Sequence, residues 1–175
     1  MMTAEELKTY IRDVADFPKP GIVFKDITPL LRVPEAFDAA CALLAEPFRD
    51  ANVTQVAAIE SRGFIFGGVV AKILNAGFVP IRKPGKLPWA RRRHEYVLEY
   101  GSDSLEIHDD AIDPGDRVLV IDDVLATGGT VTAATHLVRG FDAILAGIAT
   151  VIELEFLGGR EKIQEGVTFH SVLRY

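Results

Sequence analysis

Thirteen consecutive residues, Val118 to Thr130, set a strand, two adjacent carboxylates and a loop of small residues in a fixed order, Val-Leu-Val-Ile-Asp-Asp-Val-Leu-Ala-Thr-Gly-Gly-Thr. The four apolar residues before Asp122 suit a strand covered on both faces, and a helical pattern begins at Val131. Between them Ala126, Thr127, Gly128, Gly129 and Thr130 form a loop whose backbone can curl around a tetrahedral anion. The helix start that follows adds its partial positive charge, so a phosphate fits there without a lysine. Asp122 and Asp123 cannot serve that phosphate, because like charges repel. They can accept hydrogen bonds from sugar hydroxyls or hold water on Mg²⁺. Phosphate at one end and diol at the other describe a ribose 5-phosphate. An ATPase loop would end in Gly-Lys-Ser/Thr and a dinucleotide fold would show G-x-G-x-x-G; neither spacing is present in this run.

The rest of the chain reads as alternating elements. Thr3 to Glu6 resembles a capping box, and Leu7, Tyr10, Ile11 and Val14 form one face of a helix expected to run to about Asp16. Phe17-Pro-Lys-Pro-Gly21 breaks it, Ile22 to Phe24 reads as a short strand, and Thr28-Pro29 opens an irregular stretch. A helix follows Pro34, with Phe37, Cys41, Leu44 and Phe48 facing inward. Strands over Val56–Ile59, Phe78–Ile81, Arg117–Ile121 and Ile144–Val151 then alternate with helices over Phe64–Asn75 and Val131–Gly140. This alternation predicts one α/β domain with a mainly parallel twisted sheet flanked by helices. Tyr96–Tyr100 and Leu105–Ile107, either side of Gly101-Ser-Asp-Ser104, predict a β-hairpin projecting from it.

In such a sheet ligands sit at the carboxyl ends of strands, which draws attention to Glu60-Ser-Arg-Gly63 after Ile59. Ser61 and Arg62 bring a guanidinium to a helix start, where a second anion, naturally a pyrophosphate, can rest. From Arg82 to His94 cations gather with no acid between them, and Pro84, Gly85 and Pro88 keep the start of the run out of a helix, as in a lid over an anionic substrate. Trp89 within it reads as a packing or dimer contact. The net charge of −6 argues against wholesale nucleic-acid binding. No apolar run reaches the length of a membrane span, and Met1 to Glu6 lacks the order of a signal peptide, so a cytoplasmic protein without membrane partners is expected. With one cysteine, Cys41, an intrachain disulfide is impossible, and the four histidines show no metal-ligand spacing.

Together, Phe17 to Asp26, Glu60 to Gly67, Arg82 to Pro88, Leu98-Glu-Tyr-Gly101 and the Asp122 to Thr130 loop resemble the adenine phosphoribosyltransferase family, in order and along nearly the whole chain. The resemblance implies the type I phosphoribosyltransferase fold, with residues 1–33 as a helix and base-binding hood and residues 83–107 as a hairpin lid. It implies transfer of a phosphoribosyl group from 5-phosphoribosyl 1-pyrophosphate to adenine, giving AMP and pyrophosphate in purine salvage, with Mg²⁺ held by substrate and water and touched at most by Asp122 and Asp123. A cytoplasmic homodimer is the usual form. By the same resemblance Ala126 to Thr130 hold the 5-phosphate and Asp122 and Asp123 the ribose. Ser61, Arg62, Arg82, Lys83 and Lys86 reach the pyrophosphate, Arg82 across the dimer interface. Val23, Phe24 and Lys25 frame adenine through backbone groups and ring stacking, Val124 covers its other face, and Glu99 is the acid/base. Two departures from the family pattern are Lys25, where arginine is frequent, and the basic stretch Trp89 to Arg93. Another purine phosphoribosyltransferase, or a non-catalytic sensor of the sugar donor on the same fold, are the competing readings.

Overall fold

In the computed structural model, which describes residues 2–97 and 102–175, the chain begins with a single helical turn. Helix α1 (Ala4–Lys8) carries the capping box: Thr3 Oγ1 accepts from the Glu6 N–H at 3.3 Å, and Glu6 Oε2 accepts from the Thr3 N–H at 2.7 Å. It stops at Lys8, well short of the expected Asp16, because the next residues join a ladder. Strand β1 (Arg12–Ala15) pairs antiparallel with β2 (Val23–Asp26), opposing Val14 to Phe24. Ion pairs Arg12–Asp26 (2.9 Å) and Lys25–Asp13 (2.7 Å) cross the same ribbon. A lone short helix bears the full nucleation cost, so cross-strand contacts win over a helical spacing of four apolar residues.

Thr28-Pro29 also departs from expectation, opening helix α2 (Thr28–Arg32) where an irregular stretch was predicted. Asp26 supplies the missing signal, since its carboxylate accepts from both the Thr28 N–H and Thr28 hydroxyl at 2.9 Å, while Pro29 suits a first turn. Helix α3 (Pro34–Ala45) follows and buries Cys41 and Leu44; Phe48, just beyond it, is buried too, whereas Phe37 is half-buried.

The remaining strands are β3 (Gln55–Ile59), β4 (Gly77–Ile81), β5 (Arg91–Val97), β6 (Ser102–His108), β7 (Arg117–Leu125), β8 (Ile144–Glu153) and β9 (Phe169–Arg174), with α4 (Gly63–Leu74) and α5 (Gly129–Arg139) between them. Five form one sheet in the order β4-β3-β7-β8-β9, and every neighbouring pair is parallel. Strand β9 was not foreseen. It enters the sheet through short 3₁₀ turns rather than a helix, so the βαβ rhythm that flags the others is missing. A hairpin is present as β5 and β6, paired from Arg91 opposite His108 to Val97 opposite Ser102, but with other bounds than expected: its first strand begins at Arg91 rather than Tyr96, Ser102 to Ser104 belong to the second strand rather than the connection, and the rest of the predicted Tyr96–Tyr100 strand lies outside the described residues. Most of the basic stretch therefore belongs to a ladder. Among the described residues no helix is long and apolar enough to cross a membrane.

Alternation along β7 shows how the sheet buries both faces. Leu119 and Ile121 join Leu44, Phe48, Phe66 and Val70 under α3 and α4, while Val118 and Val120 join Val131, Ala134, Leu137 and Val138 under α5. Helix α4 lies unusually close to the sheet: a Cβ on Gly67 would stand 2.5 Å from the Ala58 Cβ, whereas one on Gly68 would meet nothing within 4 Å. Gly67→Ala should therefore destabilise the fold by roughly 1–3 kcal/mol through overpacking. Gly68→Ala, at the next residue but facing open space, should be neutral or stabilise by up to about 1 kcal/mol. Urea unfolding midpoints of the two variants would separate the effects, and equal midpoints would refute this account of the α4–β3 contact.

Candidate active site

Strand order decides where a ligand can sit. The sheet reverses direction of growth between β3 and β7, which are neighbours although β4 intervenes in sequence, and their following helices pack on opposite faces. Loops leaving the two strands therefore splay apart and open a crevice. Strand β3 ends at Ile59, but β7 runs on past its last partner there, Ile121, keeping only β8 as a neighbour through Asp122, Val124 and Leu125. Asp122 and Asp123 thus stand on a strand extension that borders the crevice, not in a turn.

A cavity of about 320 Å³ occupies this crevice, and its wall combines Glu60, Ser61 and Arg62 from one side with Asp122 to Val131 from the other. Lys83 completes it. Both aspartates are nearly enclosed, at 8% and 7% exposure. Asp123 takes an ion pair from Arg62 Nε at 2.5 Å, and its own N–H donates to Asp122 Oδ1 at 2.9 Å. Burial, with the Asp123 carboxylate beside it, pushes the Asp122 carboxyl well above the usual range. Gly63, opening α4, fits because a Cβ there would press on the Ile121 carbonyl at 3.0 Å and the Asp122 Cα at 3.2 Å.

Within the run Ala126 to Thr130, Gly128 caps the start of α5, and its φ of 81° is the left-handed conformation that only glycine adopts freely. Thr132 is the first residue whose N–H reaches a carbonyl of this turn, Gly128 O at 3.0 Å. The N–H groups before it stand at the positive end of an eleven-residue helix, an arrangement able to receive an anion. Loop, helix start and carboxylates lie as the sequence pattern required, within one cavity.

The predicted pyrophosphate residues divide. Ser61, Arg62 and Lys83 line the cavity; Arg82 and Lys86 do not. Arg82 is held by its own chain's Glu60 through two contacts, 2.9 and 3.1 Å, and donates to the Lys86 carbonyl at 3.2 Å. The Arg82 guanidinium in turn keeps the Glu60 carboxyl below the usual range. Lys83 Nζ is bonded to Asp103 and lies 3.3 Å from the Tyr96 hydroxyl, which itself sits 3.4 Å from Thr130 Oγ1. Against the cost of burial, that pairing lowers the Asp103 carboxyl and raises the Lys83 ammonium. Downstream cations are neutralised elsewhere: Arg91 by Glu106, Arg92 by Asp109, Arg93 by Glu95. Among the described residues Lys83 alone carries the basic run's charge into the cavity.

The predicted base residues also divide, by strand alternation. Phe24 does not line the cavity itself but packs against its Arg62 wall, with its ring 5.3 Å from the Arg62 guanidinium carbon and edge-on to Phe17 at 5.2 Å, whereas Val124 is part of the lining. Val23 and Lys25 point the other way, into an apolar hollow of about 460 Å³ shared with Phe156, Leu157 and Tyr175. Lys25 Nζ rests 4.1 Å over the Tyr175 ring. Glu99, the predicted acid/base, lies outside the described residues. Two contributors were missed in the sequence: Glu60, whose only signal was a carboxylate at a strand end, and Tyr96, which carried none.

The phosphoribosyl transferase domain family matches residues 26–170. An adenine phosphoribosyltransferase of Nitrosococcus oceani is 53% identical over 171 residues, covering 98% of this chain and 99% of the relative. The crystal structure of the Rhodothermus marinus adenine phosphoribosyltransferase superposes with a TM-score of 0.94 at 52% identity, covering 98% of each chain. That of Saccharomyces cerevisiae, complexed with an imino-altritol bisphosphate and adenine, superposes with a TM-score of 0.91 at 40% identity, covering 97% of this chain and 98% of the other. The architecture is the type I phosphoribosyltransferase fold, and the chain belongs to the adenine phosphoribosyltransferase family.

Proposed function

We infer that the chain moves the 5-phosphoribosyl group of 5-phosphoribosyl 1-pyrophosphate onto adenine, releasing pyrophosphate and AMP in purine salvage. The observation that carries this reading is the single cavity in which an anion-accepting loop, a carboxylate pair and two cations, Arg62 and Lys83, meet. A sugar phosphate placed with its 5-phosphate on Ala126 to Thr130 brings its ring to Asp122 and Asp123, and its C1 pyrophosphate toward Ser61, Arg62 and Lys83.

Displacement at C1 breaks the bond to pyrophosphate oxygen and forms one to the adenine imidazole nitrogen, passing through a ring with oxocarbenium character. Charge placement dominates such a step. Asp122 accepts the Asp123 N–H, and ribose hydroxyls would supply it with further donors on binding. Arg62 and Lys83 neutralise the leaving group. Mg²⁺ fits here only as a substrate-borne ion: two carboxylates are too few for a cage, and hard oxygens with retained water suit it. When bound it adds charge to the pyrophosphate side. Glu99 is the residue proposed to take the adenine proton, by family resemblance alone. Phe24 and Val124 would stack on the two faces of the base, with hydrogen bonds from the Val23 and Lys25 backbone selecting it. Residues 1–33 then serve as the hood and residues 83–107 as the lid. A cytoplasmic location and a homodimer belong to the same proposal; the homodimer is supported by large apolar side chains left exposed, Phe78 on edge strand β4 at 41% and Ile65 on α4 at 40%.

With Mg²⁺, the sugar donor and a mixture of purine and pyrimidine bases, AMP should be the nucleotide formed; formation of IMP, GMP or a pyrimidine nucleotide instead would overturn the adenine assignment. Glu99→Gln should lower turnover by roughly ten- to ten-thousand-fold, the range for a lost acid/base, and unchanged turnover across pH would remove Glu99 from the chemistry. Asp122→Asn should weaken donor binding yet raise the thermal midpoint of the ligand-free protein at neutral pH. A carboxyl raised in the folded state destabilises it above the ordinary carboxylate range, and that penalty vanishes in acid, where folded and unfolded chains are both protonated. The gain should therefore fade as pH falls through that range; a variant less stable than wild type at pH 7 would contradict this account of Asp122.

A further inference from the structure

The 5-phosphate loop carries no cationic side chain, so its grip depends on where its backbone N–H groups point. Small displacements of such a loop weaken binding steeply. What holds it in place is found behind it, on the side away from the cavity. Strand β8 ends opposite the loop's first residues, with Leu125 paired to Glu153 and the Leu154 N–H donating to the Leu125 carbonyl at 2.9 Å. The chain then turns through Glu155–Leu157 and folds back, so that Gly159–Lys162 lies directly under the loop.

The contact there is between two backbones with nothing separating them. A Cβ on Gly159 would stand 2.1 Å from the Ala126 carbonyl oxygen and 3.0 Å from the Gly128 nitrogen. A Cβ on Gly128 would stand 2.6 Å from the Gly159 carbonyl oxygen. Next in sequence, Arg160 sets both prongs of its guanidinium on Glu153, Nε to Oε1 at 2.7 Å and Nη2 to Oε2 at 2.6 Å. Glu153 is 2% exposed and also accepts from the Ser171 hydroxyl at 2.7 Å, which fastens the fork to β8 and β9 together. Planar two-point pairing fixes direction as well as distance, which a lysine could not do.

We propose that Gly159, Arg160 and Glu153 form a brace that sets the position of the 5-phosphate loop, and so are positioning residues for the phosphorylated sugar. The inference rests on reading Ala126 to Thr130 as the 5-phosphate grip. The brace works in the same direction as preorganisation generally: the loop waits in its bound shape instead of being ordered by the ligand.

The experiment compares AMP with adenosine, which differ only by the 5-phosphate, in calorimetric titrations of wild type, Gly159→Ala and Arg160→Lys, with Gly68→Ala as a neutral glycine control. Wild type should prefer AMP strongly. Gly159→Ala should reduce that preference by about ten-fold or more, the scale of a loop misplaced by part of an ångström, with adenosine affinity kept within about two-fold. Arg160→Lys should show a smaller loss of the same kind, and carries the test if Gly159→Ala does not fold. Folded Gly159→Ala and Arg160→Lys proteins with the wild-type AMP preference would overturn the brace, as would an equal loss for AMP and adenosine, which a merely structural defect produces. A wild type that binds adenosine as well as AMP would instead overturn the phosphate grip itself, and the brace with it.

Discussion

Two neighbouring carboxylates are kept nearly out of water at the point where the sheet changes direction, and the surrounding structure is organised around that tension. Asp122 and Asp123 repel each other, and burial opposes the charge on both. Arg62 answers Asp123 directly, and Asp122 accepts its neighbour's N–H. A site in this condition favours a ligand rich in hydroxyl donors. Its cost in stability is carried by the two apolar layers on either face of the sheet, where Leu119, Ile121, Val118 and Val120 are wholly enclosed a few residues earlier on the same strand.

Close packing converts that layering into site geometry. Gly67 lets α4 approach Ala58, Gly63 brings the head of the same helix against Asp122, and Gly128 and Gly159 let two loops touch backbone to backbone. Each of these contacts fixes an anion-facing group: Arg62 at the head of α4, the free N–H groups at the head of α5. The hairpin adds a further connection, since Tyr96 spans Lys83 and Thr130, the two ends of the cavity wall. At the glycines, positions far apart in the chain are held at distances set by close backbone approach, with the Tyr96 side-chain link added to them.

How far the sequence could be read follows from the range of the interactions involved. Elements governed by local pattern were legible: the buried strand before Asp122, the α4 and α5 helices, the capping box at Thr3 and the hairpin. Where a distant partner decided the outcome, the reading failed. Tyr10, Ile11 and Val14 have helical spacing, but pairing with β2 drew Arg12 to Ala15 into a strand. Strand β9 joined the sheet without the helix that normally announces a parallel strand; the start of α2 is a local exception, where the Asp26 carboxylate caps Thr28 only two residues on. Around the cavity, charge sign and loop composition picked out Arg62, the aspartates and the Ala126 to Thr130 loop, all of which line it, yet could not tell which cations of the basic run face inward. Arg82 turns to Glu60, and Arg91, Arg92 and Arg93 to other acids, a choice made by side-chain reach across the fold.

By itself, then, the sequence determined the sheet's two-sided burial, the small-residue loop at the start of α5 and the presence of adjacent carboxylates, together with the order of motifs along the chain. Those properties depend on neighbours within one or two turns. The tertiary structure alone decided that β7 outruns β3, that Lys83 rather than Arg82 enters the cavity, that Phe24 packs on Arg62 while Val23 and Lys25 line a separate hollow, and that Gly159 backs the Ala126 to Thr130 loop. Each of these comes from packing between segments remote in sequence, where a few tenths of an ångström of free space select one partner over another.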